Sequence, residues 1–199
     1  MMNKIDEKVD VFYSLLPDDL KSLVFNFLIE QYYDYSDFGE LIGQLDLELE
    51  NELLKFVKLL PPLLAFQEKQ GEFTKYKIEV FEMIKNSQLY KHSDIRNKYH
   101  FKIVFWFTDF NFYKEDGGEL KFYKVKDKDL DNTFFNAENF YEFNHIEEVS
   151  SFCPENGGCV YWNNQDKSLL HEVTKLNTNK KRYSITVCVG YENLVNDEC

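Results

Sequence analysis

Four histidines are available for chemistry in this chain of 199 residues: His92, His100, His145 and His171. His92 sits in Tyr90-Lys91-His92-Ser93-Asp94. On an extended backbone, residues two apart point to the same side, so His92 and Asp94 can converge on one point. They would make two members of the 2-His-1-carboxylate set, which leaves positions open on a non-haem Fe(II). Taken alone, such a pair is more often a surface turn. His171 is the candidate third ligand. It lies in the apolar segment Leu169-Leu170-His171-Glu172-Val173-Thr174, which reads as a strand. A lone histidine there is ordinarily a buried one satisfied by hydrogen bonds. His100 and His145 have no carboxylate in strand register and read as ordinary polar residues.

Arginine is scarce. Against 21 Lys there are only two, Arg96 and Arg182. Arg182 opens Arg182-Tyr183-Ser184-Ile185-Thr186-Val187-Cys188-Val189. Alternation puts Arg182, Ser184, Thr186 and Cys188 on one face, and Tyr183, Ile185, Val187 and Val189 on the other. The second face is apolar enough to pack on a core. The first sets a guanidinium beside a hydroxyl, and a guanidinium grips a carboxylate through two parallel hydrogen bonds, which a lysine cannot do. A surface salt bridge is the competing reading.

Taken together, these motifs fall in a familiar order. His92-Ser93-Asp94 is followed by Gly117-Gly118-Glu119-Leu120-Lys121-Phe122-Tyr123. Next come Pro154-Glu155-Asn156-Gly157-Gly158-Cys159-Val160-Tyr161-Trp162, His171-Glu172-Val173 and Arg182-Tyr183-Ser184. The span from His92 to Tyr191, about half the chain, resembles the Fe(II)- and 2-oxoglutarate-dependent dioxygenases, in particular the small prolyl 4-hydroxylase-like group.

That resemblance implies a double-stranded β-helix, a jelly-roll or cupin-like barrel with the metal at its open end. It implies that His92, Asp94 and His171 hold Fe(II), and that Arg182, assisted by Ser184, binds the distal carboxylate of 2-oxoglutarate. Tyr90 is the nearest match to a tyrosine that touches the cosubstrate in many relatives, although it stands two residues before His92 where the pattern often has three. Some prolyl 4-hydroxylases carry Lys at the Arg position, but Lys181 has the wrong parity to share a face with Ser184. The implied reaction uses O2, converts 2-oxoglutarate to succinate and CO2, and hydroxylates an unactivated C–H of an amino acid, peptide or protein side chain. Related halogenases have Gly or Ala in place of the HxD acid, so Asp94 points to hydroxylation. Desaturation and cyclisation stay open, as they begin with the same hydrogen abstraction. A zinc hydrolase on a similar barrel would also use two His and one Asp, but gives Arg182 and Ser184 no role. A non-catalytic jelly-roll binding protein would have no need of an intact triad.

The elements that must position these residues fall into two parts. Residues 1–70 carry 6 Lys and no Arg against 14 acids, while residues 71–199 carry 17 basic and 21 acidic residues. The first part reads as helical, packed outside the barrel. Leu20, Leu23, Val24, Phe27 and Leu28 recur at helical spacing after Pro17-Asp18-Asp19, and Leu41, Leu45, Leu49, Leu53, Phe56 and Leu60 do the same until Pro61-Pro62 stops them. Asp46, Glu48, Glu50 and Glu52 read as a solvated face.

After Gly71 the period becomes two. Strands are expected over Tyr76–Ile84, Lys102–Asp109, Glu119–Lys124, Glu147–Cys153, Cys159–Asn163, Leu169–Leu176 and Arg182–Tyr191, with turns at Gly117-Gly118 and Gly157-Gly158. Residues 125–145 read as a long loop, in a place where a lid could close. The fold class is therefore mainly β with helices (α+β), in one integrated domain of a helical part, 1–70, and a barrel core, 71–199. Core packing is the ordinary reading of the aromatic residues, and Trp106 and Trp162 are the two to check for facing the site. Arg96 would share the side of Asp94 if the strand ran that far.

The net charge is −12. A field of that sign repels phosphate backbones and anionic lipid surfaces, so neither nucleic acid nor a membrane is an expected partner. No stretch approaches 18 apolar residues without a charge, and no apolar segment follows a basic end after Met1. Cys153, Cys159, Cys188 and Cys199 have no CxxC spacing and read as reduced thiols in a cytoplasmic setting. The expected assembly is a monomer or homodimer.

Overall fold

The computed structural model describes residues 2–6, 9–12, 16–35, 41–92, 94, 99–125, 146–166 and 168–191. Its strands are β1 (Met2–Asp6), β2 (Val9–Phe12), β3 (Asp34–Tyr35), β4 (Leu41–Gly43), β5 (Lys75–Met83), β6 (Leu89–His92), β7 (Phe101–Phe107), β8 (Leu120–Val125), β9 (Ile146–Phe152), β10 (Cys159–Asn163), β11 (Leu169–Val173) and β12 (Arg182–Gly190). The helices are α1 (Asp18–Glu30), α2 (Leu47–Lys58) and α3 (Pro61–Gln70). An eight-stranded sheet runs in the order β1-β2-β10-β7-β12-β5-β4-β3, and a four-stranded sheet in the order β6-β11-β8-β9. All the pairings are antiparallel. The two sheets face each other and do not close into a continuous barrel.

The large sheet separates two cores, and strand alternation decides which residue serves which. Ile103, Phe105 and Phe107 of β7, Cys159 and Tyr161 of β10, and Tyr183, Ile185, Val187 and Val189 of β12 pack with Val24 and Leu28 of α1, Leu53 and Val57 of α2, and Leu63 of α3. The other face gives Val104, Trp106, Val160, Trp162 and Met83 to a second core, shared with Leu120, Phe122, Leu169 and Val173 of the small sheet. The helices thus back the large sheet, and the second face is turned towards the space between the sheets.

Local chemistry accounts for the helix ends. Asp46 caps α2, its Oδ1 accepting from the Leu49 amide at 2.8 Å. Leu41 to Gly43, expected within the same helix, instead form β4 on the edge of β5, because Gly43 and the Asp46 cap break the pattern before Leu47. Pro61 does follow the end of α2, but it also opens α3, since a proline at the first helical position gives up an amide that would have no partner there. Among the described residues the first 70 contain four strands besides their helices, and β2 extends the large sheet by pairing with β10. The expected strands occur with ends shifted by up to three residues, and Cys159–Asn163 is unchanged. Of the expected loop 125–145, Val125 instead ends β8, and the rest, with His145, lies outside the described residues, as do Arg96 and Cys199. No helix among the described residues is long and apolar enough to cross a membrane.

Candidate metal centre

The site is built at one end of the small sheet. β6 is an edge strand, and its last residue, His92, lies directly opposite His171 of β11. Asp94 lies outside the strand, and its carboxylate stands against both imidazoles. His92 Nε2 is 3.5 Å from Asp94 Oδ1, and His171 Nε2 is 3.4 Å from Asp94 Oδ2. The ring centroids of the two histidines are 4.2 Å apart. One ligand atom from each of the three residues falls within 4.8 Å of the others, the grouping a single metal ion requires.

Each candidate ligand atom is set by its surroundings. The His92 Nδ1–H donates to the Tyr90 carbonyl at 2.7 Å. That bond sets the tautomer with a lone pair on Nε2, the atom aimed at Asp94. His171 is only 3% exposed, between the rings of Trp162 and Phe122. Burial, followed by the neighbouring His92, holds its pKa well below the usual histidine value, so the ring stays neutral. Its Nε2 is buried and makes no hydrogen bond among the described residues. Burial by itself would raise the Asp94 pKa, but Lys102, His171 and His92 together drive it far below the usual carboxylate range. Two imidazoles and one carboxylate, with a buried nitrogen left open, are a donor set that fits a divalent iron.

Sequence motifs alone do not bring out two supporting residues. Lys102, on the inward face of β7 with Val104 and Trp106, donates to Asp94 Oδ2 at 2.5 Å. Strand parity with Trp106 is the available signal. Asn164, 4% exposed in the turn after β10, donates from Nδ2 to the Asp94 carbonyl at 3.2 Å and fixes its backbone. No short-range pattern connects residues 70 apart.

The other residues singled out in the sequence lie along the inward face of β12 or at the rim. Arg182 is 2% exposed and donates from Nη1 to Met83 Sδ at 2.9 Å. Ser184 is buried directly opposite Trp106 in the β7–β12 register. The Trp106 Nε1 is buried and makes no hydrogen bond among the described residues. Lys181 faces the other way, onto Glu82 at 2.6 Å. The Gly117-Gly118 turn makes room for this end. A Cβ on Gly118, whose φ is 71°, would stand 3.3 Å from the Arg182 Cδ, and one on Gly117 would stand 1.9 Å from the Lys175 carbonyl oxygen. Tyr90 is 59% exposed, and its carbonyl accepts from His92 Nδ1.

Comparison with known proteins identifies the family. Residues 77–189, more than half of the chain, match the 2OG-Fe(II) oxygenase superfamily. Among solved structures, the fold is similar to that of a Pseudomonas putida prolyl-4-hydroxylase, at 16% identity, 93% coverage of both chains and a TM-score of 0.66. It is also similar to a Trichoplax adhaerens prolyl hydroxylase in complex with a hypoxia inducible factor oxygen degradation domain peptide fragment, at 14% identity, 96% and 88% coverage and a TM-score of 0.64. A third is the viral collagen prolyl hydroxylase of Paramecium bursaria Chlorella virus-1 in its 2-oxoglutarate complex, at 11% identity, 94% and 97% coverage and a TM-score of 0.56. No curated protein matches the chain in sequence. With two facing antiparallel sheets, a His-Asp-His cluster between them and the family's pattern over residues 77–189, this chain belongs to the 2OG-Fe(II) oxygenase superfamily, dioxygenases that use Fe(II), 2-oxoglutarate and O2.

Proposed function

We propose that this enzyme hydroxylates an unactivated C–H of an amino acid, peptide or protein side chain, with His92, Asp94 and His171 as the protein ligands to Fe(II). The observation that carries the reading is the buried His171 Nε2, which makes no hydrogen bond among the described residues and stands 3.4 Å from Asp94 Oδ2, with His92 on the same carboxylate. When bound, Fe(II) with 2-oxoglutarate and O2 supplies the oxidising power that replaces a C–H by a C–OH, while 2-oxoglutarate becomes succinate and CO2. The similarity to prolyl hydroxylases supports an amino acid or peptide substrate over other classes.

The chain's own residues do the rest. Tyr90 holds His92 in the ligand tautomer through its carbonyl. Asn164 anchors the backbone of Asp94, and burial keeps His171 neutral. Arg182 receives the distal carboxylate of 2-oxoglutarate, with Ser184 beside it. Trp106 Nε1, opposite Ser184, offers that carboxylate another donor. Phe122, Trp162 and Val104 line the space between the sheets and limit water in it. Free thiols at Cys153, Cys159 and Cys188 suit a reducing cytoplasmic compartment.

The test is succinate release from 2-oxoglutarate by the Fe(II)-loaded enzyme, with and without a panel of amino acids and peptides. Release that depends on Fe(II) and is stimulated by a panel member supports the reading. No release under any condition overturns it.

A further inference from the structure

Lys102 is a cation inside the protein. Its side chain is 13% exposed, and it rises from the inward face of β7 beside the proposed metal ligands. An ammonium carries three donors. Among the described residues one of these is used, on Asp94 Oδ2 at 2.5 Å. The Lys102 Nζ also lies 5.7 Å from the centroid of the Trp162 ring. Burying two unmatched N–H groups of a charged side chain is costly unless something completes them. A carboxylate is the partner an ammonium takes most readily.

Position excludes the carboxylate already assigned to Arg182. Lys102 lies opposite Cys188 in the β7–β12 register, six residues along β12 from Arg182. At about 3.3 Å per residue the two strand positions are roughly 20 Å apart. The two buried cations thus sit towards opposite ends of the inward face, with the metal ligands at the Lys102 end.

We infer that Lys102 recognises a carboxylate of the substrate, so that the molecule oxidised is a small free acid of amino-acid type and not an internal residue of a protein chain. This rests on His92, Asp94 and His171 being the metal ligands, and it narrows the substrate class given above. Lys102 keeps one N–H on Asp94 and offers the other two to the incoming carboxylate, which holds the substrate beside the metal. The approach is from the side opposite Arg182.

The experiment measures binding without turnover. Zn(II) replaces Fe(II), 2-oxoglutarate is present, and the quenching of tryptophan fluorescence is followed, because the only two tryptophans, Trp106 and Trp162, both face this space. The probes are the twenty L-amino acids, each paired with its carboxamide. At least one acid is expected to bind about tenfold or more tightly than its amide, as a charge-assisted contact requires. In Lys102→Met that ratio should fall to about one while 2-oxoglutarate still titrates the site, and Lys102→Arg should keep part of it. The inference is overturned if amides bind as well as acids, or if no amino acid binds. It is also overturned if Lys102→Met weakens 2-oxoglutarate and leaves the ratio intact. Should Lys102→Met not fold, the wild-type ratio and Lys102→Arg still decide. Failure of the metal reading looks different: 2-oxoglutarate would then not titrate the wild-type protein at all.

Discussion

His171 lies directly opposite His92 across the β6–β11 pair, so a single strand register sets the spacing of the two imidazoles. Neither ring can move without its strand. His92→Ala and His171→Ala should each abolish turnover and leave the fold intact, while Asp94→Ala should abolish turnover and also lower stability, because it strands Lys102. Losing a supporting residue of a metal site typically costs about 10- to 100-fold in metal affinity, so losing a ligand should cost more. Anaerobic titration with Co(II), alongside circular dichroism, checks this, and a His171→Ala protein that binds metal like wild type rules out the triad.

Asp94→Gly should lose hydroxylation and also stability. It leaves Lys102 without the carboxylate it pairs with, and breaking a buried pair from one side costs about 3–5 kcal/mol. Added formate, which can occupy the vacated place, should raise its melting temperature more than that of wild type. Thermal melts with and without formate give the answer, and equal shifts in both proteins would mean that Lys102 does not depend on Asp94.

Arg182→Met should weaken 2-oxoglutarate binding by about 10- to 100-fold, the range expected for a lost hydrogen bond to a charged group. Metal affinity should hardly change. Arg182→Lys should be intermediate, because the charge stays and the fork geometry is lost. Lys181→Met should bind normally, as Lys181 is turned to Glu82. Titrating 2-oxoglutarate into the anaerobic Fe(II) enzyme separates the variants. Weakening by Lys181→Met and not by Arg182→Met would reassign the anchor.

Gly117→Ala should be more damaging than Gly118→Ala. Both residues have positive φ, which costs an L-residue about 1 kcal/mol or more. At Gly117 the added methyl also meets a backbone carbonyl at 1.9 Å, which cannot swing aside, while at Gly118 it meets the Leu176 and Arg182 side chains at 3.2 and 3.3 Å. Urea unfolding ranks the two. Gly118→Ala should additionally weaken 2-oxoglutarate binding by displacing Arg182.

Cys159 and Cys188 should resist alkylation in the folded protein. Burial pushes their pKa values up to about 12 and about 11. A raised thiol pKa means less thiolate at a given pH, so at about pH 8.5, where a free cysteine is about half ionised, both stay protonated. Mass spectrometry after iodoacetamide should find them modified only once the protein is unfolded. Rapid labelling of the native protein at that pH would contradict their burial.

Much of this architecture is legible in the sequence because alternation is a local property. In β12 the pattern of residue types alone separates Arg182 and Ser184 from Tyr183 and Ile185, and the two cores divide along that line. β6 is harder to find. Four residues with a lysine and a histidine carry no apolar stripe, and the strand exists because β11 pairs with it. β1 to β4 are likewise made by their partners and not by their own composition. The Lys102–Asp94 pair is hidden for another reason. A lysine within Phe101-Lys102-Ile103-Val104 looks like an outward residue until the strand is known to have a buried face on each side.

That double burial has a practical consequence for anyone trimming the protein. A fragment cut to residues 77–189, the span that matches the family, would keep the candidate iron ligands and Arg182. It would also strip the cover from Ile103, Phe105, Ile185 and Val187, leaving a broad greasy wall in water, and would remove the β2 strand that shields one edge of β10. Such a fragment should aggregate on expression, and it would then read falsely as an inactive enzyme.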